Sequence, residues 1–326
     1  YKLTKLINME NISFLKKYQP IYYKDFYIKK DYINLLQTLQ NMDNLNILFI
    51  GGKGVGKTSI ILATIREYYC SEIIPKHEVL FINSLKDQGI QYYRNNLKTF
   101  CQTQCSIPHK KKIIILDDID FINEQSQQVF RNYIDKYSHK VNFLISCQNN
   151  QKVIDNIQSR TTIIKLNPIE KIYFKILFDK IKNVEKINIT EEAEEFLFYI
   201  CSNSISQLLN NMEKFKLYGK EIDIVNVKNI CTNISFFSFE KYTMSCINKN
   251  YKESVNTIFE IYNKGYSVLD ILDNYFSFIK ITKIIDENKK YKIIKLICKY
   301  IEIFYTVHEN EIELAFFTNN LISNLT

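Results

Sequence analysis

Eight consecutive residues, Gly51, Gly52, Lys53, Gly54, Val55, Gly56, Lys57 and Thr58, fit the spacing G-x-x-x-x-G-K-[ST]. Glycines at these positions let the backbone turn tightly and aim successive N–H groups at one point, which is what a phosphate group requires. A helix leaving the loop adds the positive end of its dipole. Lys57 then reaches the outer phosphates of a nucleoside triphosphate, the Thr58 hydroxyl faces Mg²⁺, and Ser59 completes the nucleotide-binding set. Further along, the apolar run IIIL at 113–116 ends in Asp117-Asp118-Ile119-Asp120. A carboxylate at the end of a buried strand holds Mg²⁺ directly or through water, so Asp117 is read as a metal ligand. Asp118 takes the next position, where a carboxylate polarises an attacking water.

Such a loop works only where a strand feeds it and a helix leaves it. NILFI (46–50) precedes it and TSIILATIREYY (58–69) follows. EVLFIN (78–83), KIIILDD (112–118), VNFLIS (141–146) and TTIIKL (161–166) are further short apolar runs, separated by amphipathic segments. Alternation of this kind predicts an α/β domain around a parallel sheet, with crossover helices covering it. Asn167-Pro168 breaks the pattern, and helical periodicity dominates beyond it, dividing near 234–238. The expected organisation is an α/β nucleotide-binding domain at 1–166, a helical lid at 167–234 and an all-α domain at 235–326. No internal repeat or low-complexity linker interrupts it.

The net charge of +8 suits a polyanionic partner, although a solvated lysine surface gives the same value. Of the 43 basic residues only Arg66, Arg94, Arg131 and Arg160 are arginine, all in the first half. Where lysine serves nearly everywhere else, an arginine marks a place where a planar, bidentate contact to phosphate matters. Arg94 and Lys98, four residues apart, share one helix face; Arg66 on the loop helix can equally be a structural pairing residue. No apolar run approaches the roughly 18 residues of a membrane span, so no membrane partner is expected. The start, YKLTKLINMENISF, lacks an apolar signal core, and Met9 is read as the natural initiator. Eight cysteines without CxxC pairs fit a reducing compartment. Cys101, Cys105 and His109 share a four-residue spacing but lack a fourth ligand, so they read as a helix end and a loop broken at Pro108.

A wider likeness runs along the chain. FLKKYQP (14–20), FINSLKDQGIQYYRNNLKTF (81–100), SQQVFRNYIDKYS (126–138), KVIDNIQSR (152–160) and GYSVLDILDNYFSFIK (265–280) resemble, in this order, segments of the replication factor C small subunits. These are AAA+ sliding-clamp loader proteins. The resemblance implies ATP or ADP with Mg²⁺ as cofactors, Tyr18 and Pro20 on the adenine side, and the all-α domain as an oligomerisation collar. It implies a hetero-pentamer with other clamp-loader subunits, a sliding clamp, and primer-template DNA bound independently of sequence. Arg94, Lys98 and Arg131 become DNA phosphate contacts, the alternative being a solvated basic face. Arg160, taken to close a strand, becomes an arginine finger acting on a neighbour's nucleotide. The compartment implied is the nucleus, or a viral replication compartment.

Departures from the family pattern bear on catalysis. Gln19 replaces an Arg, Asp118 a Glu, Gln148 the sensor 1 Asn, Thr161 a Cys and Ser206 the sensor 2 Arg, with no Arg beyond 160 to substitute. Nucleotide binding is expected, whereas hydrolysis at this subunit's own site is open. One alternative is a structural or regulatory subunit of the same complex. Another is a helicase-type AAA+ protein, which leaves the collar-like segment unexplained.

Overall fold

The computed structural model describes residues 12–27, 29–83, 97–201, 204–231, 234–282, 284–304 and 307–325. Met9, Arg94 and the rest of the segment around Gly89 lie outside the described residues. The predicted apolar runs become strands β1 (Ile47–Ile50), β2 (Val79–Asn83), β3 (Lys112–Asp117), β4 (Val141–Cys147) and β5 (Thr162–Lys165). They pair in parallel as one sheet of order β2-β3-β4-β1-β5. Ile47 lies opposite Leu144 on one side and Thr162 on the other, while Val79 lies opposite Ile113.

Side chains alternate across a strand, so a sheet covered on both faces needs apolar residues at every position. Ile47, Phe49, Ile113, Ile115 and Leu144 pack on one face with Ile60, Ile61 and Ile65 of the helix Lys57–Tyr69. Leu48, Ile114, Leu116, Phe143 and Ile145 pack on the other with Val129, Phe130 and Ile134 of the helix Glu124–Tyr137. Because the strands run parallel, the carboxyl ends of β1, β3 and β4 open at one edge, where ligands bind in such sheets.

The chain falls into two compact units, one of residues up to 187 with 201–219 and one of 188–200 with 220 onward. The first holds the sheet together with the helices Lys171–Glu185 and Ile205–Tyr218. In the second, the helices Phe236–Ile247, Tyr251–Tyr262, Val268–Ile281, Glu287–Phe304 and Ile312–Leu325 surround a core rich in rings. Phe239, Tyr242, Tyr275, Phe278 and Phe317 are fully buried there. Asn250 and Ser267 cap two of these helices through the N–H groups of Glu253 and Asp270.

Candidate nucleotide site

The glycine-rich loop leaves β1 at the open edge of the sheet and turns into the helix Lys57–Tyr69. Gly54 and Gly56 have φ of 73° and 101°, a left-handed conformation that strains any other residue. A Cβ at Gly54 would also lie 2.2 Å from Ser204 Oγ. Lys57 is 8% exposed, and its ammonium donates to the carbonyls of Gly51 at 2.8 Å and Gly52 at 3.1 Å. The cation is thereby folded over the loop that it must serve.

Asp117 closes β3 beside this loop. Thr58 Oγ1 donates to its Oδ2 at 3.4 Å, and the buried Ser146 of β4 donates to its Oδ1 at 2.6 Å. Two hard oxygen donors this close fit Mg²⁺, which prefers one or two protein oxygens and keeps the rest of its shell for water and phosphate. Asp118 follows with φ 53° and ψ 54°, and its N–H donates to Ser146 Oγ at 2.9 Å. A non-glycine residue in this region is uncommon, and aspartate tolerates it better than most. Burial raises the Asp118 carboxyl above its ordinary value and the charge of Asp117 adds to this; Lys57 and a hydrogen bond to the Gln148 side chain pull it back. A carboxylate so raised is a better proton acceptor than an ordinary aspartate.

Gln148 follows the end of β4, and the strand order brings its side chain into hydrogen-bonding contact with Asp118. Sequence reasoning missed what holds it. Asp120 Oδ2 accepts from the backbone N–H groups of Gln148 and Asn149, both at 3.1 Å. Gln127, 1% exposed, was missed as well. Its amide donates to the carbonyls of Ile122 at 3.0 Å and Lys152 at 2.9 Å, and accepts from the Ile154 N–H at 3.0 Å. One buried side chain thus joins the turn after β3 to the segment leading towards Arg160.

Tyr18, Pro20, Tyr27, Val55, Tyr173 and Ser206 line a pocket of about 320 Å³ next to the loop. Tyr27 and Tyr173 stack with ring centroids 5.7 Å apart, and Gln19 reaches the Ser59 hydroxyl at 3.5 Å. Lys53 is exposed at the rim of the loop. Glu185 holds the pocket's N-terminal wall. It accepts from Lys17 and Lys216, each at 2.6 Å, and from the Tyr18 hydroxyl. Burial works to raise its pKa, but these three hydrogen bonds prevail and bring it down to about 2. A depressed carboxylate stabilises the fold above its unfolded pKa, and that contribution vanishes as pH falls through the folded value. Glu185→Gln is therefore expected to cost about 1–2 kcal/mol at neutral pH, because both ammonium groups stay partly in solvent. Urea melts at pH 7 and pH 2 would check this, the difference between variant and wild type shrinking at the lower pH.

Arg160 requires a correction. It does not close a strand; the short helix Asp155–Gln158 precedes it, and β5 begins at Thr162. Its guanidinium donates to Asp135, to the Asn156 carbonyl at 2.8 Å and to Ser159 Oγ at 3.2 Å. Arg131 forms an ion pair with the same Asp135 at 3.1 Å. Lys98 is exposed in the helical stretch at 97–102, and Arg66 donates to the Glu72 carbonyl at 3.3 Å, a structural pairing. Residues 103–110 form the loop expected around Pro108.

Two family models match the chain, the ATPase family associated with various cellular activities (AAA) over residues 47–168 and the replication factor C C-terminal domain over 238–302. The chain is 26% identical to the probable replication factor C subunit 2 of Dictyostelium discoideum, covering 87% of this chain and 84% of the relative. It is also 26% identical to replication factor C subunit 4 of Saccharomyces cerevisiae, covering 90% of each. Among solved structures, a DNA polymerase III gamma subunit-related protein of Thermotoga maritima shares the fold, with a TM-score of 0.55 at 14% identity over 89% of this chain and 99% of that one. With a phosphate loop, an acidic strand end and both family models in chain order, the chain carries an AAA ATPase domain followed by a replication factor C C-terminal domain, and is similar to replication factor C subunits over most of its length.

Proposed function

We propose that the chain is an ATP-binding subunit of a sliding-clamp loader, which joins other subunits in a hetero-pentamer and helps place a ring-shaped clamp on primer-template DNA. The observation that carries this reading is the convergence of Lys57, Thr58, Asp117 and Asp118 at one sheet edge, in a chain that also bears the replication factor C C-terminal domain. The loop N–H groups and Lys57 hold the phosphates, and the pocket at Tyr18 and Pro20 takes the base. When bound, Mg²⁺ neutralises charge on the outer phosphates. Thr58 and Asp117 orient it, and Asp118 accepts a proton from the attacking water while Gln148 fixes its carboxylate. Arg160 serves the nucleotide of the adjoining subunit. Arg131, Lys98 and Arg94 contact DNA phosphates, which gives binding without base preference and with a steep dependence on salt. The compartment is the nucleus or a viral replication site.

A second reading, a subunit that binds nucleotide and supports the ring without useful hydrolysis, is favoured by Ser206. That residue lines the pocket where the family pattern has a sensor 2 arginine, and a hydroxyl supplies no full charge to a transition state. The reconstituted complex separates the two. Replacing Asp118 by Ala is expected to lower DNA-stimulated ATPase by this site's share, and an unchanged rate would favour the supporting role.

A further inference from the structure

Ser146 lies in β4, every residue of which is buried, and it is one of only two polar side chains there, with Asn142. A buried hydroxyl in an apolar strand is costly unless both its proton and its lone pairs find partners. Both do, and both partners belong to the nucleotide site. The single proton goes to Asp117 Oδ1 at 2.6 Å, so the same oxygen is left to accept the Asp118 N–H at 2.9 Å. Holding Oδ1 turns Oδ2 of Asp117 towards Thr58 Oγ1, the other oxygen suited to Mg²⁺. Holding the Asp118 N–H pins that residue in its left-handed conformation, from which its carboxylate meets Gln148.

We infer that Ser146 is the positioning residue of the metal and acid positions, orienting Asp117 for Mg²⁺ and Asp118 for water through one hydroxyl. It does so from the neighbouring strand, without touching nucleotide itself. The inference rests on the nucleotide assignment above. Partners of this kind behind a metal ligand typically change metal affinity 10–100-fold when removed.

The test is binding of a fluorescent ATP analogue to the full chain, first with EDTA and then titrated with MgCl₂. Ser146→Ala is expected to raise the Mg²⁺ concentration at half-effect by about tenfold. Its metal-free affinity should stay within about twofold of wild type, since the loop and Lys57 are untouched. Ser146→Thr retains the hydroxyl and should titrate as wild type, with thermal melting of both variants reporting that they fold. A Ser146→Ala midpoint within about twofold of wild type overturns the inference, as does a well-folded Ser146→Thr with the alanine variant's midpoint. A wild-type chain that binds the analogue without any response to Mg²⁺ overturns the metal assignment itself, and the inference with it.

Discussion

Lys57→Ala is expected to abolish measurable nucleotide binding, with a loss in affinity of at least about 100-fold. The figure follows from the strength of charge-assisted hydrogen bonds, about 1.5–3 kcal/mol each, when two or more are lost at a sheltered site. Lys57 is sheltered, and its ammonium already sits among the loop carbonyls of Gly51 and Gly52, so little reorganisation separates its present position from one over bound phosphates. The alanine variant loses the charge and these two hydrogen bonds together. The fold is held mainly by the apolar layers on either side of the sheet, so thermal melting should change far less than binding. Isothermal titration with ATP and Mg²⁺ decides the matter; an unchanged dissociation constant would remove Lys57, and with it the loop, from the nucleotide site.

The second large effect concerns Arg160, where binding and rate should part company. Arg160→Ala is expected to leave this chain's own ATP affinity within about twofold of wild type, because the guanidinium bonds to Asp135, Asn156 and Ser159 and to no residue of the phosphate loop. With the in-trans role proposed for Arg160, hydrolysis at the adjoining subunit's site should fall by roughly 10³-fold or more, the usual weight of an arginine finger. Folding should be nearly untouched, since ion pairs of groups about a third exposed contribute at most about 1 kcal/mol. Titration of the isolated variant, paired with DNA-stimulated ATPase of the reconstituted complex, separates the two effects. Loss of the chain's own nucleotide binding with a normal ring rate would place Arg160 in its own site and refute action on a neighbour.

What could be read before the structure, and what could not, divides along sequence distance. The loop at 51–58 and the acids at 117 and 118 are local patterns, and each of the five apolar runs became a strand within about one residue. Ser146 could not be recognised in this way. Serine in VNFLISC looks like an interruption until β4 is known to lie beside β3, and strand order is not encoded in any local period. Gln127 and Asp120 escaped for the same reason, since the bonds of Gln127 to Lys152 and Ile154 and those of Asp120 to Gln148 and Asn149 span 25 or more residues of sequence. Glu185 is more remote still, 168 residues from Lys17. The misplacement of Arg160 had a different cause, because a helix of four residues is too short to show helical periodicity.

The second unit carries a consequence of its own. Its core is built from flat rings, and a stack of phenylalanines alone tolerates sliding one helix along another with little change in buried area. Two hydroxyl pairs remove that freedom. Tyr242 meets Thr318 at 2.9 Å, and Thr243 meets Tyr275 at 3.1 Å, all four within the core. Shifting any of the three helices by one turn, about 5.4 Å, separates at least one pair and takes from its buried tyrosine hydroxyl the threonine partner on the other helix. The pairs therefore act as index marks, selecting one alignment among several of similar apolar content. A surface built on these helices keeps a constant spacing of its outward side chains, which is the property that a repeated subunit contact demands.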